Sequence, residues 1–138
     1  MELSSQLYNR IKKYCALGDE LIEEGDFDEA IRNYNKAKDL LPEPIYDWEA
    51  ATWIFVALGD AFYLSSRYQD ALNNLNEAQK CYGGIGNPFI LLRIGQCYYE
   101  LNNMENAKKY LLQAYMIEGK DIFKNEENKY FNIVRESI

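Results

Sequence analysis

Apolar and polar positions along this 138-residue chain recur with the period of an amphipathic helix rather than the two-residue period of a strand. Tyr14, Leu17 and Leu21 are followed, beyond Gly25, by Ala30, Ile31, Tyr34 and Ala37. The same order of sizes returns twice. Gly18, Gly59 and Gly95 are each followed 12 residues later by Ala30, Ala71 and Ala107, and 19 residues later by Ala37, Ala78 and Ala114. Leu17, Leu58 and Ile94 precede the glycines directly, and Tyr34, Leu75 and Leu111 lie between the paired alanines. Large residues stand four before each glycine (Tyr14, Phe55, Leu91) and three after it (Leu21, Phe62, Tyr98). This pattern predicts three pairs of antiparallel helices. Small residues let the backbones of each pair approach, and large apolar residues fill the space between them. Gly18 is expected to face the region of Ala30.

The breaks fall where such pairs need turns. Gly25, Ser65–Ser66 and Asn102–Asn103 separate first from second helices, with Asp26, Ser66 and Asn103 as expected N-caps. Ser4 or Ser5 is placed to cap the opening helix. Leu41-Pro42-Glu43-Pro44 stops the second helix. Asp47 is then expected to cap a helix from Trp48 to about Leu64. Pro88 suits the first turn of the next helix with Asn87 as its cap. At the end of the chain, Ile122 and Phe123 are expected to anchor an extended link. A helix over about 126–136 should follow, with Tyr130, Phe131, Ile133 and Val134 on its apolar side.

Tyr14-x2-Leu17-Gly18-x2-Leu21 with Ala30-x3-Tyr34 and Pro42, and its two counterparts, resemble the tetratricopeptide repeat, a 34-residue helix–turn–helix unit. The repeats would span about 11–44, 52–85 and 88–121. They are irregular: the glycines are 41 and 36 residues apart, and Gly83 and Gly119 replace the closing proline in the last two units. The resemblance implies one all-α domain over 1–138. Its fold would be a right-handed solenoid of three repeats, ended by a C-terminal capping helix that covers the exposed last face.

Composition narrows the function. There is no histidine, which removes His-based acid–base chemistry, Ser-His and Cys-His nucleophile pairs and His-containing zinc sites. No phosphate-cradling glycine loop, metal-ligand spacing or nucleophile–base pair is present. The expectation is a non-enzyme with no cofactor and no bound metal. The three cysteines, Cys15, Cys81 and Cys97, are widely spaced and form no disulfide framework. With no signal-peptide pattern at the N-terminus and no apolar run of membrane-spanning length, a cytoplasmic location is expected. The net charge of −7 resides in residues 1–87, while the rest of the chain is balanced. That balance disfavours nucleic acid and anionic membranes and favours a cationic partner.

The resemblance places function on the concave face lined by the first helix of each repeat. Offsets from the packing positions put Lys12, Cys15, Asp19, Ile22 and Glu23 of unit one there. Unit two contributes Trp53, Val56, Asp60, Tyr63 and Leu64, and unit three Phe89, Leu92, Arg93, Gln96, Tyr99 and Glu100. The floor so described is apolar and aromatic and the rim acidic, a combination suited to binding another protein. A variant of the family grips a C-terminal carboxylate. Here Asp19 and Asp60 stand where that variant carries asparagines, Phe89 replaces a lysine, and only Arg93 matches, so the resemblance does not extend to that ligand. The run from Leu41 to Tyr63, GNPFILLRIGQCYYELNN and KYFNIVRESI are similar to small free-standing bacterial members, some of them toxin antidotes. The implied function is a binding protein for a basic partner, with toxin neutralisation (an immunity protein) as the specific version. The alternative is a secretion chaperone holding an extended apolar segment of an exported protein. Self-association is left open.

Overall fold

The computed structural model describes residues 3–138, and among these every regular element is helical. Six helices form three antiparallel pairs: α1 (Ser5–Glu23) with α2 (Phe27–Asp39), α3 (Glu49–Leu64) with α4 (Tyr68–Gln79), and α5 (Pro88–Glu100) with α6 (Met104–Glu118). Each second helix also packs on the first helix of the next pair, so the pairs stack in chain order. A 3-10 turn (Ile45–Asp47) precedes α3. Another (Lys120–Phe123) precedes the short last helix α7 (Asn128–Arg135), which packs on α6.

The three turns within pairs are the same device. Gly25, Ser66 and Asn102, each seven residues beyond its helix glycine, take positive φ of 80°, 62° and 63°. The next N–H reaches back to close the helix end: Asp26 to Leu21 O at 2.9 Å, Arg67 to Phe62 O at 2.8 Å and Asn103 to Tyr98 O at 2.8 Å. This satisfies carbonyls that the helix terminus would otherwise orphan. Asp26 and Asn103 then cap the second helices through their side chains, as do Ser4 for α1 and Asn87 for α5. Two expected caps are corrected. Ser66 is spent on the left-handed turn, so Arg67 takes the cap position of α4 and makes no side-chain cap hydrogen bond. Asp47 lies inside the 3-10 turn, and Trp48 takes the cap position of α3. The link at Ile122–Phe123 is helical, not extended.

The helix glycines have one partner each, in one register. A Cβ on Gly18 would collide with the Tyr34 ring, on Gly59 with Leu75, and on Gly95 with Leu111. The partner is therefore the large residue four beyond the first alanine, not the Ala30 region. The alanines at 30, 37, 71, 78, 107 and 114 are fully buried, which sets the close approach of the helices. Two apolar clusters result. The larger runs through α1 to α5. The smaller joins Leu91, Leu92, Leu111 and Ala114 to Phe123, Tyr130 and Val134 of the C-terminal segment.

The residues between α2 and α3 are tied down by polar contacts. The Trp48 indole donates to Pro42 O at 2.7 Å, Tyr46 donates to Glu77, and the Tyr82 N–H donates to Tyr46 O at 3.2 Å. The Thr52 hydroxyl donates to Tyr82 O at 2.7 Å, which pins the loop after α4 onto α3.

Candidate functional site

The expected site residues lie on α1, α3 and α5, but the C-terminal segment divides them into two groups. Those of the third pair, apart from Phe89, are engaged by the chain's own tail. Leu92 and Gln96 are buried. Gln96 Nε2 donates to Glu126 Oε1 at 2.6 Å, and Lys129 Nζ bonds both Glu100 oxygens at 2.9 and 3.1 Å. Tyr99 meets the Tyr130 ring edge-on at 5.3 Å. Tyr63 of α3 joins this group through its hydroxyl, 2.7 Å from that of Tyr130. The expectation that these residues line a fully open face is therefore corrected: Gln96 is fully buried, Tyr63, Tyr99 and Glu100 are half-buried with their hydroxyl, ring and carboxylate engaged by the tail, and Leu92 keeps only an edge exposed.

Arg93 stands at the boundary. Its Nε donates to Asp60 at 2.8 Å and its Nη1 to Gln96 at 2.9 Å and Glu126 at 3.3 Å, while the guanidinium lies over the Tyr63 ring, 4.4 Å from its centre. Burial opposes its charge. The fields of Asp60 and Glu126 outweigh that, so its pKa is raised and it stays ionised. Both charge partners of this guanidinium come from within the chain, so it has little attraction left for an incoming carboxylate.

The second group remains accessible. Asp19 and Glu23 are exposed on α1, with Cys15 and Ile22 half-buried beside them. On α3, Val56 and Asp60 are half-buried and Trp53 is 42% exposed. Phe89, at the start of α5, is 65% exposed. Tyr34 donates its hydroxyl to Asp19 Oδ1 at 2.6 Å, which fixes that carboxylate at the rim. A recess of about 480 Å³ lies between this surface and the tail, with Val56, Phe89, Leu92 and Ile122 as apolar walls. Asp60, Asp121, Glu118 and Glu126 stand around it against Arg93 and Lys124, so its border is acidic. Trp53 is not part of this recess. It sits farther along α3 against Tyr8, with ring centres 6.2 Å apart.

Sequence reasoning missed Glu126, Lys129 and Tyr8. Glu126 and Lys129 find partners about 30 residues away, a pairing with no local signature. Tyr8 precedes the repeat pattern, although its spacing on α1 places it one turn before Lys12, whose ammonium lies over its ring.

Burial first, and then the Asp19 carboxylate, push the Cys15 thiol up to about 11. At pH 8 its thiolate fraction should be on the order of 100-fold below that of an unperturbed thiol. Iodoacetamide labelling followed by mass spectrometry should therefore leave Cys15 unmodified while a cysteine-containing control peptide reacts. Labelling at the control rate would contradict this environment. Among the described residues no cluster of three or more Cys, Asp or Glu side chains is arranged to hold a metal, and no helix is long and apolar enough to cross a membrane.

Residues 9–83 match the family model of the tetratricopeptide repeat, and residues 90–121 match a second model of the same repeat. No curated protein sequence matches the chain. Similar solved structures share the fold at low identity. One is the Yersinia enterocolitica type III secretion chaperone SycD in complex with a peptide of the translocator YopD (TM-score 0.73, 16% identity, covering 93% of this chain and 92% of that one). Another is PcrH, a Pseudomonas aeruginosa protein, in complex with the chaperone binding region of PopB (TM-score 0.71, 17% identity, 95% and 97%). A third is the first repeat domain of Spaghetti (RPAP3) bound to the HSP90 peptide SRMEEVD (TM-score 0.71, 21% identity, 93% of each chain).

Proposed function

Starting from the premise that the chain belongs to the tetratricopeptide repeat family, we propose that it is a protein-binding module that holds an extended segment of another protein. The segment lies along α1 and α3 and enters the recess beside the tail. It carries an apolar side chain next to lysine or arginine. The observation that carries this reading is the open part of the concave face. Val56, Phe89 and Ile122 offer apolar contact, Asp19, Glu23 and Asp121 supply negative charge with no ion-pair partner among the described residues, and Arg93 is held by Asp60 and Glu126.

An extended ligand fits better than a folded domain, because the tail leaves a recess rather than a broad concave sheet of surface. The secretion-chaperone reading gains from this, and from the likeness to SycD and PcrH, whose structures hold a translocator peptide and a chaperone binding region. Toxin neutralisation would use the same acidic rim against a folded basic protein, and no feature of the open face favours it over the extended segment. An acidic segment such as the one held by the Spaghetti domain would meet carboxylates here and be repelled.

A library of fluorescent 12-residue peptides, read by anisotropy, tests the proposal. Peptides that combine a bulky apolar residue with Lys or Arg should bind, and acidic peptides should not. The variant Asp19→Asn with Glu23→Gln should weaken binding on the order of tenfold at low salt, with a smaller effect at high salt. Val56→Lys should abolish it. Preference for acidic peptides, or indifference to all three substitutions, would overturn the reading.

A further inference from the structure

Cationic side chains cover many of the aromatic rings of this chain. Lys80 lies over Tyr46, Lys12 over Tyr8, Arg67 over Phe62, and Lys129 over Tyr99 and Tyr130. Among the described residues, three strongly exposed rings carry none: Trp53, Tyr82 and Phe89. Two of them, Trp53 and Tyr82, line one recess of about 500 Å³ together with Tyr8 and Trp48. The same recess is bordered by Asp47 and Glu49, which make no ion pair and no side-chain hydrogen bond among the described residues.

The walls are held in place. Tyr82 is 70% exposed, yet its backbone is fixed at both ends, by Tyr46 O on its N–H and by the Thr52 hydroxyl on its carbonyl. Trp48 is buried, with its indole bonded to Pro42 O. Trp53 is braced by the edge of Tyr8. Asp47 ends the 3-10 turn and Glu49 begins α3, so both carboxylates ride on regular backbone. Aromatic faces attract a cation through the ring quadrupole, and the attraction grows as water is excluded. Two carboxylates beside such faces, without an ion pair among the described residues, supply the counter-charge. A planar guanidinium satisfies both demands, since it stacks on a ring while its N–H fork bonds a carboxylate.

We propose that this recess is an arginine-binding subsite, which receives an arginine side chain of the partner segment. The assignment rests on the peptide-binding reading above and extends it along α3. Trp53 lies seven residues before Asp60, roughly 10 Å along the helix. That is the reach of about three extended residues. A segment anchored near Val56 and Asp60 therefore delivers its arginine to Trp53 from about three positions away.

The test uses the full chain and a small probe, N-acetyl-arginine N-methylamide, titrated while 1H–15N NMR follows the two indole N–H signals. The Trp53 signal should move and saturate in the millimolar range, and the buried Trp48 indole should move less. The citrulline analogue, neutral and of the same shape, should bind at least about tenfold more weakly. The variant Asp47→Asn with Glu49→Gln should lose saturation while keeping its thermal midpoint. Equal response to citrulline, persistence in the double variant, or a silent Trp53 overturns the assignment. A second arm separates it from the groove. If a library peptide binds through Val56 but ignores exchange of its arginine for citrulline, and the probe leaves Trp53 silent, the subsite falls and the groove stands. If no peptide binds while the probe saturates Trp53, the subsite stands and the groove reading falls.

Discussion

Replacing Tyr130 by alanine is expected to destabilise the chain by about 3–5 kcal/mol, the cost of emptying a large buried aromatic site. Tyr130 is 1% exposed, packs edge-on to Tyr99, and shares a hydroxyl–hydroxyl bond with Tyr63. Phe123 and Val134, the other buried residues of the tail, belong to the same cluster and lose support with it. Thermal unfolding should shift down by roughly 10–15 °C, given about 3 °C per kcal/mol for a chain of this size. Tyr130→Phe keeps the ring and loses only the hydrogen bond, so its cost should be about 1 kcal/mol. Urea denaturation of both variants gives the comparison. A cost below about 1 kcal/mol for the alanine variant would mean that the tail is not packed on the third pair. The concave face would then be open along its whole length.

Gly95→Ala is expected to cost about 2–3 kcal/mol even though alanine is the better helix former by roughly 1 kcal/mol. The added Cβ would stand 2.6 Å from Leu111 Cγ and 3.0 Å from the Leu111 backbone nitrogen, and the nitrogen cannot rotate away. Gly59→Ala should cost less, because there the near atoms belong only to the Leu75 side chain. The collision can be tested as a pair. Leu111→Ala alone opens a cavity in a fully buried site. It also removes the Leu111 side-chain atoms that the new Cβ would strike, leaving only the backbone nitrogen contact. The double variant should therefore be more stable than the sum of the two single costs implies, by 1 kcal/mol or so. Strict additivity in chemical denaturation would show that α5 and α6 do not meet at this point.

Several features were readable from local chemistry. The helices, the positions of the turns at Gly25, Ser65–Ser66 and Asn102–Asn103, and the caps at Ser4, Asp26, Asn87 and Asn103 depend on residues within one or two turns of each other. Ser66 is the exception: its position in the pattern suits both a turn and a cap, and in the structure the left-handed turn takes it. The Tyr34, Leu75 and Leu111 positions were found by repetition. Their contact with the glycines required knowing how two helices slide against each other.

The candidate site was legible only in part. Cys15, Asp19, Ile22, Glu23, Val56, Asp60 and Phe89 lie on accessible or half-buried surface, and their acidic and apolar character follows from composition. The engagement of Gln96, Glu100 and Tyr63 by Glu126, Lys129 and Tyr130 did not follow from it, since those pairs are separated by 29 to 67 residues. Nothing in a one-dimensional pattern ranks Glu126 above the other acidic residues as the partner of Arg93. The meeting of Tyr8, Trp53 and Tyr82 around Asp47 and Glu49 is equally non-local.

By itself, then, the order of residues determined where the rods begin, bend and end, and which stripe of each is apolar, because helix period, turn conformation and capping act over a few neighbouring peptides. The tertiary structure alone decided which part of the concave face is covered by the tail and which aromatic rings are left without a cation. Those outcomes come from packing and charge pairing between distant segments, whose energies exist only once the chain has closed on itself.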